Sequence, residues 1–387
     1  MNRWTVVALQ RHETNYSVPS VNSEIFVRLF YLYGPARLNA DPPGLRPRAK
    51  NPNVVLCRHE TERLLSHLRQ LTKSHSFRNQ FTRVNNATNG WPSRYRSQGP
   101  SATEKMIIKE YRVILPLEVE EYRRGQLFAV AEASKAETGG GEGVEVVKQE
   151  NFTSSDLLPG ETVSGIYTHK IYRIKNKMPW VVRKMFPDAA MVLEEECWNA
   201  YPYSKTVVTN PGYMKKDFYI IVESMHIADH GETNNALNLS KDLLKKREVI
   251  TLDIYDDRHL NKKTDIKPDT DPRTFRSVKT GRGPLMADWA SKTEPVMCCY
   301  KVVQGHFKWL GLQSRVENLI HKQYPRLFTR FHREVFCWID KWYNLTMEDI
   351  RRLEEETAAQ LKNQLNKGNL RGMVAVENSD REKSRMG

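Results

Sequence analysis

From position 106 onward, apolar and polar residues alternate in short runs. Lys109-Glu110-Tyr111-Arg112-Val113-Ile114-Leu115-Pro116 reads as a half-buried strand ending at a proline. Similar alternation predicts strands over 142–147, 167–174, 206–208, 218–223, 249–254 and 297–303. Residues 119–133 read as a helix with Tyr122, Leu127 and Val130 on one face. Beyond 310 the period becomes helical. Leu312, Val316, Leu319 and Ile320 form one run and Leu327, Phe331, Val335, Phe336 and Ile339 a second, with Pro325 expected to kink or break the path between them. The clearest helix is the last: Thr346 caps it with Asp349 three residues on. Met347, Ile350, Leu353, Leu361 and Leu365 make its apolar stripe, and Gly368 ends it. Strands first and long helices last give an α+β fold, a mainly antiparallel sheet covered by helices.

Residues 1–105 carry no such period. They are rich in Arg, Asn, Ser and Pro, and hold 16 Lys and Arg against 6 Asp and Glu. The chain's formal charge of +14 is therefore concentrated there, and the main body is nearly neutral. That distribution argues against a uniformly basic nucleic-acid-binding domain. The favoured reading of 1–105 is an unstructured extension or a mis-assigned start, with the true start at Met106. The other is a basic arm for anionic membranes or RNA. Residues 374–387 are expected to fray.

Composition excludes several classes. With 39% hydrophobic and 27% charged residues, and no run of about 18 apolar positions, the chain reads as globular rather than membrane-spanning. The apolar run at 4–9 is too short for a signal peptide, so cytosolic residence is expected. The five cysteines form no CxxC pair, and they are expected to be reduced and mostly buried. None of the eleven histidines has metal-ligand spacing, so no metal site is expected. Thr138-Gly139-Gly140-Gly141-Glu142-Gly143 resembles a phosphate cradle, but a strand follows it rather than a helix, and it reads as a turn. Thr280-Gly281-Arg282-Gly283-Pro284 reads as a tight loop. Glu194-Glu195-Glu196 and Glu354-Glu355-Glu356 could be acid–base groups, but such carboxylate runs are more often solvated faces. No hydrolase elbow or zinc-protease motif occurs, and an enzyme is not expected.

Several segments are similar to a known family. They are Lys-Glu-Tyr-Arg-Val-Ile-Leu-Pro (109–116), Thr-Gly-Gly-Gly-Glu-Gly-Val-Glu-Val (138–146), Tyr-Thr-His-Lys-Ile-Tyr (167–172) and Trp-Asn-Ala-Tyr-Pro-Tyr (198–203). Lys-Thr-Gly-Arg-Gly-Pro-Leu (279–285), Phe-Cys-Trp-Ile-Asp-Lys-Trp (336–342) and Met-Glu-Asp-Ile-Arg-Arg-Leu-Glu-Glu-Glu-Thr (347–357) follow in order. Residues 106–373 thereby resemble a class I phosphatidylinositol transfer protein. The resemblance implies a START-like fold, a concave sheet closed by long helices around a cavity for one phospholipid, headgroup inward. It implies a monomeric carrier, not an enzyme, that exchanges phosphatidylinositol and phosphatidylcholine between cytosolic membrane faces as a transient peripheral protein. The cargo is a lipid, and no cofactor is implied. An alternative keeps the lipid site but makes the chain a module that presents phosphatidylinositol to a lipid kinase.

The resemblance also implies site residues. Thr168 and Lys170, two apart on one strand face, would meet the inositol phosphate. Glu195, Asn199, Thr206, Lys301 and Glu354 match further headgroup positions, and Gln126 matches the choline-lipid pose. Trp309 and Leu310 would dock at the membrane, where the family has two adjacent tryptophans. Ser204 stands where the family has cysteine. Ser277 matches a phosphorylation position, although a plain loop serine reads equally well. The last helix and the segment through Met373 would gate the cavity.

Overall fold

The computed structural model describes residues 107–367 apart from 159, 176–182, 184–185, 263–264 and 309–312. The expectations for 1–105, for the tail at 374–387 and for Trp309 and Leu310 lie outside the described residues. One eight-stranded sheet organises the domain. Its strands are β1 (Ile107–Leu115), β2 (Gly143–Leu158), β3 (Glu161–Arg173), β4 (Val192–Ala200), β5 (Tyr203–Asn210), β6 (Lys215–Ile227), β7 (Arg247–Asp253) and β8 (Met297–Phe307). They lie in the order β2-β3-β4-β5-β6-β8-β1-β7, antiparallel throughout except for the parallel β1/β7 pair at one edge. The helices are α1 (Val119–Glu137), the short α2 (Lys241–Lys246), α3 (Gln313–Cys337), the short α4 (Ile339–Trp342) and α5 (Met347–Lys367). The fold is α+β and START-like.

Alternation divides the sheet into two faces. On β6, Phe218, Ile220, Val222, Ser224 and His226 are all buried while their neighbours are not. This inner face packs on α1 and α3: Tyr111, Val113, Leu193, Val208, Ile220, Val222 and Val303 join Tyr122, Tyr324, Leu327, Phe328, Phe331 and Val335 in the main core. At roughly 1.5–3 kcal/mol per large apolar side chain buried, this layer dominates the stability of the fold. The opposite face has a smaller core, in which Ile108, Ala200, Tyr203 and Val302 meet Leu237 from the segment after β6.

Two expectations change. Pro325 neither breaks nor divides its helix, since α3 runs unbroken from Gln313 to Cys337 with the proline inside. A proline cannot donate to the carbonyl four residues earlier, here that of His321. The Tyr111 hydroxyl supplies that bond instead, at 3.1 Å. Second, β4 is a strand that the pattern did not announce. Its inward positions are Leu193, Glu195 and Cys197, and a glutamate in an apolar slot hides the period.

The last helix starts as expected. Thr346 N–H and Oγ1 donate to Asp349 Oδ2 at 2.9 and 2.8 Å, and Asp349 N–H donates back to Thr346 Oγ1 at 3.1 Å. Its other end is held by the glycine turn: Gly140 and Gly141 N–H donate to the Gln364 and Leu365 carbonyls at 3.3 and 2.9 Å. The turn thus ties the far end of the described helix to the start of β2.

Candidate functional site

The strand register brings distant residues into lateral rows on the inner face. Lys170 on β3 lies opposite Glu195 on β4. One row over, Thr168, Cys197, Thr206 and Val222 cross β3 to β6. The next row runs Asn199, Ser204, Ser224 and Lys301 from β4 to β8. Directly opposed residues in antiparallel strands point to the same side, so all three rows share the face beneath α3. Gly165 allows β3 and β4 to close here, since a Cβ on it would lie 2.0 Å from the Asn199 carbonyl oxygen.

Burial of these groups is nearly complete. Lys170 and Glu195 are 0% exposed, Lys301 1% and Glu354 3%. Lys170 Nζ donates to Glu195 Oε1 at 2.9 Å, and the Tyr172 hydroxyl donates to Glu195 Oε2 at 3.1 Å. Glu354 comes from α5 and pairs with Arg351 at 2.6 Å. Burial raises the pKa of Glu354, while Arg351 and the Lys170 ammonium oppose that rise. α5 thus lays Glu354 over the β3 end of the site.

Lys301 differs from Lys170. Its Nζ lies 3.3 Å from Ser224 Oγ and 5.6 Å from the centre of the Phe328 ring. Among the described residues no carboxylate pairs with it. Burial lowers its pKa, because an ammonium stripped of water loses solvation that a hydroxyl and a ring only partly replace.

Below Ser224, away from Lys170, a neutral cluster closes the row. His226 Nδ1 lies 2.8 Å from the Pro202 carbonyl, and its ring stacks on Tyr201. His332 Nδ1 donates to the Phe328 carbonyl, which leaves Nε2 to accept from the Tyr122 hydroxyl at 3.0 Å. Burial and the Lys301 charge push His332 down to about 3 and His226 well below its ordinary value.

The sheet therefore gathers Thr168, Lys170, Glu195, Asn199, Thr206 and Lys301 on one face, and α5 adds Glu354 above them. Gln126 is buried on α1, one turn beyond Tyr122. Ser277 lies elsewhere. It is 2% exposed, and its hydroxyl donates to Asp340 Oδ1 at 2.6 Å, while Val278 and Lys279 N–H donate to the same carboxylate. It is a buried turn-anchoring residue rather than a plain loop serine. The solvated-face reading of the two acidic triplets holds for Glu355 and Glu356 but fails for Glu195 and Glu354, whose alternate positions the strand and helix turn inward. Ser224 and Tyr172 were missed. The signal was a serine and a histidine at the core-facing positions 224 and 226 of an otherwise apolar series.

A mainly antiparallel sheet with charged side chains buried on the face its helices cover is an α+β, START-like architecture. Within that class, residues 106–359 match the family described as phosphatidylinositol transfer protein. The chain belongs to this family. It is 50% identical over 277 residues to the phosphatidylinositol transfer protein beta isoforms of Bos taurus and Homo sapiens, covering 70% of this chain and 99% of each relative. It is 46% identical over 262 residues to phosphatidylinositol transfer protein 2 of Dictyostelium discoideum, covering 67% of this chain and 97% of that one.

Proposed function

We propose that the chain carries one phosphatidylinositol or phosphatidylcholine molecule between membranes, with the phosphodiester against Lys301 and the tails between the sheet and helices. The observation that carries this reading is the unpaired Lys301 ammonium. Buried charges are ordinarily paired, and a lone one costs several kcal/mol. A phosphodiester would supply the missing anion, with Ser224 and Thr206 as donors beside it and Gln126 from α1. On the far side, Lys170, Glu195, Thr168, Asn199 and Glu354 offer donors and acceptors for a polyhydroxylated ring.

The tails explain why a carrier is needed. Exposing roughly thirty methylenes to water costs on the order of 25 kcal/mol at ~0.8 kcal/mol each, so a lipid leaves a bilayer slowly without an apolar route. By the family resemblance Trp309 and Leu310 serve membrane docking, and transient docking makes the protein peripheral. Among the described residues no helix is long and apolar enough to cross a membrane.

Transfer between vesicles of pure lipid tests the reading. Replacing Lys301 by Met should cut transfer of both lipids roughly 10-fold or more, since a hydrogen bond to a charged group is worth ~1.5–3 kcal/mol. The variant should melt no lower than the parent, because the substitution removes a charge that the fold alone does not pair. Wild-type transfer of both lipids by this variant would overturn the proposal. Transfer that requires an added lipid kinase would instead favour the presenting module.

A further inference from the structure

This inference rests on the carrier reading and concerns how its cargo enters and leaves. Pro325 sits inside α3, and the His321 carbonyl that it leaves without a helical donor accepts from the Tyr111 hydroxyl at 3.1 Å. About four ladder bonds cross any point of an α-helix, so α3 is joined across Pro325 by one bond fewer than elsewhere. The bond that replaces it runs to a strand rather than along the helix. It can break while both halves of α3 stay helical.

The half after the proline is clamped to the loop that follows β7. Arg326 donates to both carboxylate oxygens of Asp265 at 2.5 and 2.8 Å. Arg333 donates to the Ile254 and Tyr255 carbonyls at 2.6 and 2.9 Å and to Asp257 at 2.7 Å. Before the proline, His321 is 3% exposed, and among the described residues neither of its ring nitrogens meets full hydrogen-bond geometry with a partner. A buried polar atom without a bond is costly, so the closed position of this half forfeits solvation that opening restores.

The proline also divides what α3 covers. Phe328, in the turn after it, has its ring centre 5.6 Å from Lys301 Nζ. Tyr324, just before it, is buried, which raises its phenol pKa, and Tyr111 and the Glu195 carboxylate add to that rise. Tyr324 thus belongs to the Lys170–Glu195 end. Tyr111 lies directly opposite Lys301 across β1 and β8, with its ring edge against Phe328.

We propose that α3 is hinged at Pro325 and latched by the Tyr111 hydroxyl, and that releasing the latch lets residues 313–324 swing off the Lys170–Glu195 end of the site so that cargo enters and leaves.

Hydrogen exchange of the full chain loaded with phosphatidylcholine reads the hinge directly. Tyr111→Phe should speed amide exchange over 313–324 by roughly 3- to 10-fold, the worth of one neutral hydrogen bond, and over 327–337 by less than about twofold. Pro325→Ala restores the missing N–H, so exchange over 313–324 should slow roughly 10-fold or more. The same variant should slow transfer of both lipids between phosphatidylcholine vesicles about threefold or more, because the hinge opens less often. With the helix supplying its own donor, adding Tyr111→Phe to Pro325→Ala should change exchange less than about twofold, which separates a latch from ring packing. Equal acceleration of both halves in Tyr111→Phe overturns the inference. A Pro325→Ala chain with unchanged exchange or unchanged transfer overturns it as well, and decides alone if Tyr111→Phe does not fold. Wild-type protein that transfers neither lipid overturns the carrier reading and the gating role with it, while the exchange pattern is read separately, so the two failures are distinguishable.

Discussion

Two lysines on one sheet face do different work because their neighbours differ. Lys170 has a carboxylate at 2.9 Å and Lys301 a serine hydroxyl at 3.3 Å. A paired ammonium is neutralised in place and acts as a hydrogen-bonding group, whereas an unpaired one awaits an anion. Lys170→Ala and Asn199→Ala should therefore impair inositol-lipid transfer roughly 10-fold while largely sparing choline-lipid transfer, as read in the vesicle assay. Equal loss of both lipids would remove these residues from the headgroup site. Neighbouring glutamates show the same dependence on surroundings. Glu194 pairs with His169 at 3.2 Å on the outer face, and Glu195, one residue on, is sealed inside.

α5 is held near both of its described ends by bonds other than its own helical ladder. The reciprocal Thr346–Asp349 bonds start it, and the glycine turn before β2 receives its last carbonyls. Gly143 makes that turn possible. Its φ of +120° lies in glycine territory, and a Cβ there would sit 2.6 Å from Thr138. Between the ends, α5 buries Ile350, Glu354, Thr357, Leu361 and Gln364, a face with more polar groups than a core helix needs. Such a face is weakly held by apolar burial, so its caps carry an unusual share of its attachment. Thr346→Ala should cost about 1 kcal/mol, and calorimetry should record a melting temperature lower by ~2–4 °C. An unchanged transition would mean that packing alone holds the helix. α3 illustrates the reverse case: Pro325 looked like a break, and a tyrosine more than two hundred positions away repaired it.

For the molecule as a whole, the inward-facing histidines couple stability to acid. Burial lowers His226 well below its ordinary value, His321 to about 4 and His332 to about 3. A histidine with a lowered folded pKa binds its proton first in the unfolded chain, so stability falls as pH drops below about 6.5. One unit lower, each costs about 1.4 kcal/mol, or on the order of 4 kcal/mol together, against a typical total of ~5–15 kcal/mol. His169 acts in the opposite sense, because the Glu194 carboxylate raises its pKa, but its side chain is partly exposed and solvent screens part of the gain. The melting temperature should thus drop steeply between pH 7 and 5.5, and a flat profile would show that these rings take up protons within the fold. The alternating runs of β1, β6 and β8, the helical periods at the end of the chain and the Thr346 cap were all legible in the sequence, because apolar period and local capping are near-neighbour properties. β4 was not legible, nor was the full length of β2, whose polar outer residues mask the period. The resemblance named most of the headgroup candidates, but periodicity by itself assigned Glu195 and Glu354 to water. The sequence by itself determined most of the strands and helices and which family they compose. Only the tertiary structure decided which charges are buried and which of them are paired, because a side chain's solvation and partners depend on strands and helices brought together from far along the chain.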